Sequence, residues 1–135
     1  MTVLDTSGII DFLIGEEAAG NVAALLAEEG TVAVPDLLVF EVVAVFRRLV
    51  QRGAMAVDRA AAAIDDLGDV PMELFPTLPL RERAFALRDN LTAADAFFVA
   101  LAESLGEPLA TKDRVLATVA RDHVGIRVIE LSGPR

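Results

Sequence analysis

Residues 3–7 of the chain read VLDTS, two apolar residues followed at once by an acid and two hydroxyl side chains. The apolar pair predicts a very short buried strand that ends at Asp5. Ser7 predicts the start of a helix that continues to about Ile14. A strand that leads directly into a helix is typical of βαβ units, whose strands lie parallel in one sheet. The stretch therefore predicts a parallel sheet with Asp5 at its carboxyl edge.

The same alternation of short apolar strands and helices continues along the chain. Further strands are predicted at residues 31–34, 70–75, 109–111 and 126–131, and helices at 18–29, 35–52, 58–67, 80–89, 93–105 and 113–122. This order predicts an α/β fold, a three-layer α/β/α sandwich with a mainly parallel central sheet. We expect a single domain over residues 1–135, with residues 132–135 as a frayed tail.

The composition excludes several kinds of protein and site. Hydrophobic residues make up 54% of the chain, which indicates a folded domain rather than a disordered one. The apolar runs are far shorter than the roughly 20 residues of a membrane span, and no signal-peptide pattern is present, so we expect a cytoplasmic protein without a membrane association. The chain has no Cys and only one His, His123, which excludes disulfides and zinc sites built on Cys or on several imidazoles.

The net charge restricts how the protein can bind nucleic acid. The net charge is −9, from 21 acidic and 12 basic residues, which argues against passive coating of nucleic acid or of an anionic membrane. It leaves room for an enzyme that meets RNA through a bound metal ion and a few local arginines. An acidic surface also suits a basic partner protein.

Four acids lie at matching places in this pattern, where a strand gives way to a helix or in the first turns of the helix that follows: Asp5, Glu41, Asp95 and Asp113. The carboxyl ends of parallel strands meet at one edge of a sheet, so these acids can share one cleft. Two bare carboxylates about 4 Å apart repel by roughly 4 kcal/mol at an effective dielectric of about 20, so either some stay protonated or a cation lies among them. Oxygen ligands alone favour Mg²⁺ or Mn²⁺, and the reaction class that follows is metal-assisted phosphodiester hydrolysis. One ion or two would fit.

Each of these acids also has a purely structural interpretation. Asp5 and Asp113 stand where a helix N-cap is expected. Asp95 follows Thr92 at the spacing of a capping box. Glu41 interrupts a long apolar stretch, where it either serves a site or lies on the narrow solvent face of an amphipathic helix.

The segments that carry the four acids resemble a known family. In chain order they read VLDTS at 3–7, PDLLVFEV at 35–42, LTAADA at 91–96 and LATKD at 109–113. Together they resemble the PIN-domain ribonucleases, and within that superfamily they are most similar to the VapC-like toxins of bacterial type II toxin–antitoxin pairs. The resemblance implies a compact α/β/α fold and an Mg²⁺- or Mn²⁺-dependent endoribonuclease.

The resemblance also implies roles for individual residues and partners. The metal-binding and catalytic acids would be Asp5, Glu41, Asp95 and Asp113, with Thr6 and Thr111 supporting the site. The implied partners are an RNA substrate, a small cognate antitoxin whose tail covers the active cleft, and a second copy in a homodimer. From their positions in the sequence, the candidate contacts to RNA phosphates are Arg47, Arg48, Lys112 and Arg114. Asp11 and Asp122 remain open as further members of the site.

Two other functions stay open at this point. A phospho-receiver-like domain also uses a strand-end acid, Mg²⁺ and a lysine, for which Lys112 is available, although such a domain usually has adjacent acids where Asp5 is followed by Thr6. A non-catalytic interaction domain would keep the acidic cation-binding cleft and bind a partner without cleavage.

Overall fold

The computed structural model describes residues 1–131, and the predicted tail at 132–135 lies outside them. The strands in this part of the chain are β1 (Val3–Leu4), β2 (Val32–Pro35), β3 (Met72–Phe75), β4 (Leu109–Thr111) and β5 (Val128–Glu130). The helices are α1 (Thr6–Ile14), α2 (Ala19–Glu29), α3 (Leu37–Gln51), α4 (Val57–Leu67), α5 (Arg81–Ala86), α6 (Ala93–Leu105) and α7 (Arg114–Val119). A 3-10 turn at Leu78–Leu80 precedes α5, and a π-helical turn at Ala120–Val124 follows α7.

The strands form one sheet in the order β3-β2-β1-β4-β5, and every neighbouring pair is parallel. At the centre, Val3 of β1 lies opposite Ala33 of β2 on one side and Leu109 of β4 on the other. The chain builds outward from β1 to β3 and then returns to place β4 on the opposite side of β1. The carboxyl ends of β1 and β4 are therefore the point at which the strand order reverses, where open α/β sheets form their ligand crevices.

The core explains why the central strands read as continuous apolar runs. Every residue of β1, β2 and β4 is buried, as expected of parallel strands covered on both faces. Helix α6 packs across β1, β2 and β4 and is covered in turn by α5, while α1 contacts α2, α3 and α4. Because α6 is enclosed between the sheet and α5, its apolar residues extend around the helix instead of forming one stripe. The predicted three-layer α/β fold is confirmed.

Several predicted boundaries differ from the observed ones. Pro35 was expected to open the long helix but is the last residue of β2, and α3 begins only at Leu37. The backbone N–H of Ala33 donates to Thr2 on the β1 side. Backbone groups of a strand point to alternate sides, so the nitrogen of Pro35, two residues after Ala33, also points towards β1. The pairing of β1 with β2 does not extend beyond Val3 and Ala33, so the missing N–H of Pro35 costs the sheet no hydrogen bond. Helix α5 and strand β5 are shorter than predicted. No helix among residues 1–131 is long and apolar enough to cross a membrane.

Candidate active site

Asp5 begins the site at the carboxyl end of the central strand. Its backbone continues the sheet, since its N–H donates to the carbonyl of Ala110 at 3.1 Å. Its side chain is 5% exposed and caps α1, because Oδ1 accepts from the N–H of Gly8 at 3.1 Å and from the hydroxyl of Ser7 at 2.8 Å. The structural interpretation of Asp5 as an N-cap is therefore right, and Ser7, which was expected to cap the helix, supports Asp5 instead.

Thr111 links Asp5 to the neighbouring strand end. It is the last residue of β4 and is fully buried. Its hydroxyl donates to Oδ2 of Asp5 at 2.5 Å and accepts from the backbone N–H of Asp113 at 3.0 Å. Asp113 is exposed and caps α7, accepting from the N–H groups of Val115 and Leu116 at 2.9 and 3.1 Å. One hydroxyl thus fixes the relative position of the β1 and β4 ends.

Glu41 approaches the same edge from α3. It is half-buried, and its Oε1 accepts from the hydroxyl of Thr6, the first residue of α1, at 2.6 Å. Burial raises the pKa of Glu41, the hydroxyl of Thr6 opposes this, and the negative charge of Asp95 raises it further. Arg48, two turns further along α3, lowers the pKa of Glu41 by its positive charge. Glu41 is thus turned towards the other acids, not only towards solvent.

Asp95 stands in the first turn of α6. Thr92 caps this helix, and its hydroxyl accepts from the N–H of Asp95 at 3.2 Å. The Asp95 carboxyl is half-buried. Burial raises its pKa, a hydrogen bond from the Thr92 side chain opposes this, and the negative charge of Asp113 raises it further. Asp95 therefore has a structural place in the capped first turn of α6, and its carboxyl also lies near other acids.

The four acids repel one another as one set, which we call the acid cluster: Asp5, Glu41, Asp95 and Asp113. Burial raises the pKa of Asp5 from 3.8 to about 6 against its three hydrogen-bond donors, and the charge of Asp95 adds to that increase. Asp95 also raises the pKa of Glu41 and is itself affected by Asp113. Asp95 is thus the common neighbour of the other three acids, the most distant of which in the chain, Asp5, lies 90 positions before it.

The acid cluster offers only oxygen ligands, the donor set that Mg²⁺ and Mn²⁺ prefer. Burial and the neighbouring negative charges raise the pKa values of Asp5, Glu41 and Asp95, and a divalent cation would relieve both costs. Within residues 1–131, no three acidic or His side chains are gathered as a complete ligand set. Bare carboxylates repel, and Asp5, Glu41 and Asp113 are each held by hydroxyl or amide donors, which accounts for their spacing. The all-oxygen donor set of the cluster fits a hard divalent cation, and its side chains would have to move together to bind one.

Lys112 does not face the acid cluster. Its Nζ lies 2.8 Å from Oδ2 and 3.0 Å from Oδ1 of Asp11. Asp11 is buried and also accepts from the N–H of Ala18, so it joins α1, α2 and the end of β4. This ion pair gives Lys112 a structural role and takes away the lysine that a phospho-receiver would need beside Asp5. Within residues 1–131, the Asp11 carboxylate bonds Lys112 and Ala18 and makes no hydrogen bond to the acid cluster.

The remaining candidates are solvent-exposed. Arg47 and Arg48 lie on α3, Arg114 begins α7, and Asp122 lies on the π-helical turn. Arg48 is near enough to Glu41 to act on its charge. Sequence reasoning missed the contact of Ser7 with Asp5, although an acid at an N-cap with a hydroxyl two residues later is a recognisable signal of such a bond.

Comparisons with known proteins agree with this architecture. The family model of the PIN domain matches residues 2–122. Ribonuclease VapC12 of Mycobacterium tuberculosis is 35% identical over 117 residues, which are 87% of this chain and 90% of that relative. Ribonuclease VapC1 of the same organism is 37% identical over 116 residues, 85% of this chain and 87% of that relative.

Solved structures share the fold at lower sequence identity. PAE2754 from Pyrobaculum aerophilum superposes with a TM-score of 0.69 at 22% identity, covering 94% of this chain and 82% of that chain. VapBC2 from Rickettsia felis, bound to a DNA fragment from its promoter, superposes with a TM-score of 0.67 at 12% identity, covering 96% of this chain and 97% of that chain. At these identities the structures support the fold alone. The family model and the relatives confirm the resemblance to the PIN-domain ribonucleases: the chain belongs to the PIN domain family.

Proposed function

We propose that the protein is an Mg²⁺- or Mn²⁺-dependent endoribonuclease that acts as the toxin of a toxin–antitoxin pair. The observation that carries the proposal is the hydrogen-bonded arrangement at the point where the strand order reverses, in which Thr111 links Asp5 to Asp113 and Thr6 holds Glu41. A cluster of oxygen ligands that is costly to ionise is a suitable seat for a divalent cation. The relatives named VapC ribonucleases support RNA as the substrate class.

We assign the metal-binding roles of the four acids according to their burial. Asp5, Glu41 and Asp95 would hold the principal ion, and Asp113, which is exposed, would complete the ligand set. When bound, the ion acidifies a water molecule and neutralises charge on the phosphoryl oxygens. Thr111 and Ser7 hold the Asp5 carboxylate, and Thr6 holds that of Glu41, so both acids keep their orientation before substrate arrives.

Partners follow from the same reasoning. We propose a small cognate antitoxin, because a nuclease active on cellular RNA needs restraint and one structural neighbour is a VapBC complex. A homodimer and a cytoplasmic location are parts of the same proposal. The proposed phosphate contacts are Arg48, whose charge acts on Glu41, Arg114, which follows Asp113 directly, and Arg47, one residue before Arg48 on the same helix.

The direct test compares cleavage of a labelled single-stranded RNA by the wild-type chain and by Asp5→Asn and Asp95→Asn, with Mg²⁺, with Mn²⁺ and with EDTA. We expect cleavage only with a divalent ion and a loss of at least about 100-fold in each variant, as for removal of a group that stabilises transition-state charge. Asp66→Asn is the matched control, since Asp66 is an exposed acid on α4, and should cleave like wild type.

Two results would contradict the proposal. Undiminished cleavage by folded Asp5→Asn would separate activity from the acid cluster. Saturable Mn²⁺ binding by a wild-type chain that cleaves no RNA would favour the non-catalytic interaction domain. Far-ultraviolet circular dichroism of each variant establishes that loss of cleavage is not loss of fold.

A further inference from the structure

An aromatic side chain stands exposed on α5. The ring of Phe85 is 68% exposed, and the guanidinium of Arg88 lies over it, 4.6 Å from the ring centroid. The pair borders a groove of about 410 Å³ between α5 and the start of α6, which we call the Phe85 groove, lined in part by Arg81, Phe85, Arg88, Leu91, Ala93 and Phe97. An exposed aromatic ring in an apolar groove indicates a contact surface.

The two arginines of the groove are held in place. Arg88 donates from Nη1 to the carbonyl of Phe85 at 3.2 Å, and Arg81 donates from Nη1 to the carbonyl of Leu78 at 2.9 Å. Arg81 has only a long contact of 4.0 Å with Glu82, and both side chains are exposed. In a chain of net charge −9, no acid lines this groove, so it offers positive charge to an anionic ligand.

The first turns of α6 carry residues of both the groove and the acid cluster. Ala93 and Phe97 lie one turn apart and share the face of α6 that turns to α5, whereas Asp95, between them, lies on the opposite face towards Asp5. Ala93 and Asp95 are about 3 Å apart along the helix axis. An extended strand that crosses the exposed N-terminal end of α6, at Thr92, can therefore reach both.

We infer that the Phe85 groove is a subsite for single-stranded RNA, in which a base next to the cleaved position stacks on the Phe85–Arg88 pair. The inference rests on the proposed function. Stacking on an aromatic ring or a guanidinium plane is the usual way in which proteins bind unpaired bases. The chain has no Trp or Tyr, so Phe must supply the aromatic surface. Arg88 covers one side of the ring and limits its motion, and Arg81 and Arg88 supply charge for the adjoining phosphates.

The test measures binding of a short fluorescein-labelled oligouridylate to the inactive Asp5→Asn chain by anisotropy, with and without Phe85→Leu. Loss of the ring should raise Kd about tenfold or more, within the range found for removing a stacking residue. Arg88→Gln should raise Kd by a smaller factor. It should also lower the slope of log Kd against the logarithm of the salt concentration by about 1, as expected for the loss of one phosphate contact. In the active chain Phe85→Leu should raise KM by a similar factor.

An abasic oligonucleotide separates stacking from charge. It has the same phosphates but no bases, so Phe85→Leu should leave its Kd unchanged while Arg88→Gln still weakens binding. Phe40→Leu and Arg52→Gln are the matched controls, because both residues are exposed on or next to α3, and neither should alter Kd for either oligonucleotide.

An unchanged Kd for oligouridylate in Phe85→Leu, in a chain whose wild type cleaves RNA, would overturn the subsite and leave the proposed function standing. A shift from dimer to monomer in Phe85→Leu with unchanged Kd would also overturn it, by assigning the groove to contact between two copies. A wild-type chain that neither cleaves nor binds RNA would overturn the proposed function itself.

Discussion

Two buried acids on one helix have opposite environments. Asp5 and Asp11 lie at the N-cap and in the second turn of the same helix and are 5% and 4% exposed. Asp11 has a cation from the chain itself, the ammonium of Lys112 at 2.8 Å. Asp5 has only hydroxyl and amide donors, and its charged neighbour is another acid, Asp95.

This difference distinguishes a structural acid, Asp11, from a candidate ligand-binding acid, Asp5. A buried carboxylate with a lysine partner has its desolvation offset within the chain. One that faces further carboxylates has a cost that only a proton or an external cation can offset. Lys112 lies next to Thr111, yet its side chain turns to Asp11. The fold therefore keeps the single lysine of the chain out of the acid cluster.

The largest expected effect is on catalysis. Asp5→Asn should lower RNA cleavage by at least about 100-fold, whereas Asp11→Asn should keep cleavage within about threefold of wild type at a temperature where it is folded, because Asp11 contacts neither the acid cluster nor the cleft. Initial rates on a labelled RNA in Mg²⁺ measure both. Equal losses in the two variants would remove the distinction between them.

The same pair should differ in stability, with opposite sign. Burial raises the pKa of Asp5 from 3.8 to about 6, so the folded state binds this proton more tightly than the unfolded chain. That stabilisation is complete below about pH 4 and is lost as the pH rises through 6. At pH 7.5 without divalent ions, Asp5→Asn should therefore be more stable than wild type by up to about 3 kcal/mol, from about 1.4 kcal/mol per pKa unit. The advantage should shrink towards zero as the pH falls to 4.

Asp11→Asn should instead be less stable by about 1–2 kcal/mol at pH 7.5, since it leaves Lys112 without its partner. The value is reduced because the Lys112 side chain is 32% exposed and water can solvate it. Urea unfolding in EDTA at pH 7.5 and at pH 4 gives both free energies. A destabilised Asp5→Asn at pH 7.5 would contradict a raised pKa of Asp5 in the folded chain.

A smaller effect is expected at the hydroxyl that joins the two strand ends. Thr111→Val keeps the shape of the side chain but removes the donor to Asp5 and the acceptor of the Asp113 N–H. The free energy of unfolding should fall by about 1–2 kcal/mol, the cost of leaving buried polar partners unsatisfied. Thr118→Val, which loses an exposed hydroxyl bonded to the carbonyl of Arg114, is the control and should change stability by less than about 0.5 kcal/mol.

The smallest effect is expected at Thr6, whose hydroxyl holds the half-buried Glu41. Thr6→Val should leave stability nearly unchanged and lower cleavage about three- to tenfold, because Glu41 keeps its place on α3 but loses its orientation. Initial rates with Mg²⁺ at several concentrations would show a raised metal requirement. A loss as large as that of Asp5→Asn would place Thr6 in the chemistry itself.

Much of this architecture could be predicted from sequence because the signals are local. The apolar runs at β1, β2 and β4 and the glycines after α2 and α6 are fixed by burial and by helix termination, which neighbouring residues determine. The four acids were predicted as a site because each lies at a strand end or in the first turns of the helix that follows, and parallel topology brings such positions to one edge of the sheet.

What escaped prediction depends on contacts across the fold. Lys112 and Asp11 are 101 positions apart, and nothing local to either residue predicts that they pair. The choice between Ser7 and Asp5 as helix cap turns on Thr111, which reaches Asp5 from another strand. The Phe85–Arg88 pair is local at i, i+3, but its exposure depends on how α5 packs on α6.

The central claim is that Asp5 lies in a cation site, since no Lys or Arg within residues 1–131 pairs with its carboxylate. Isothermal titration of Mn²⁺ into the wild-type chain and into Asp5→Asn at pH 7.5 tests it most directly. We predict saturable binding to the wild type, and an affinity at least about tenfold weaker in Asp5→Asn, as expected when one charged ligand is lost. Equal Mn²⁺ affinity in the two proteins would contradict the account.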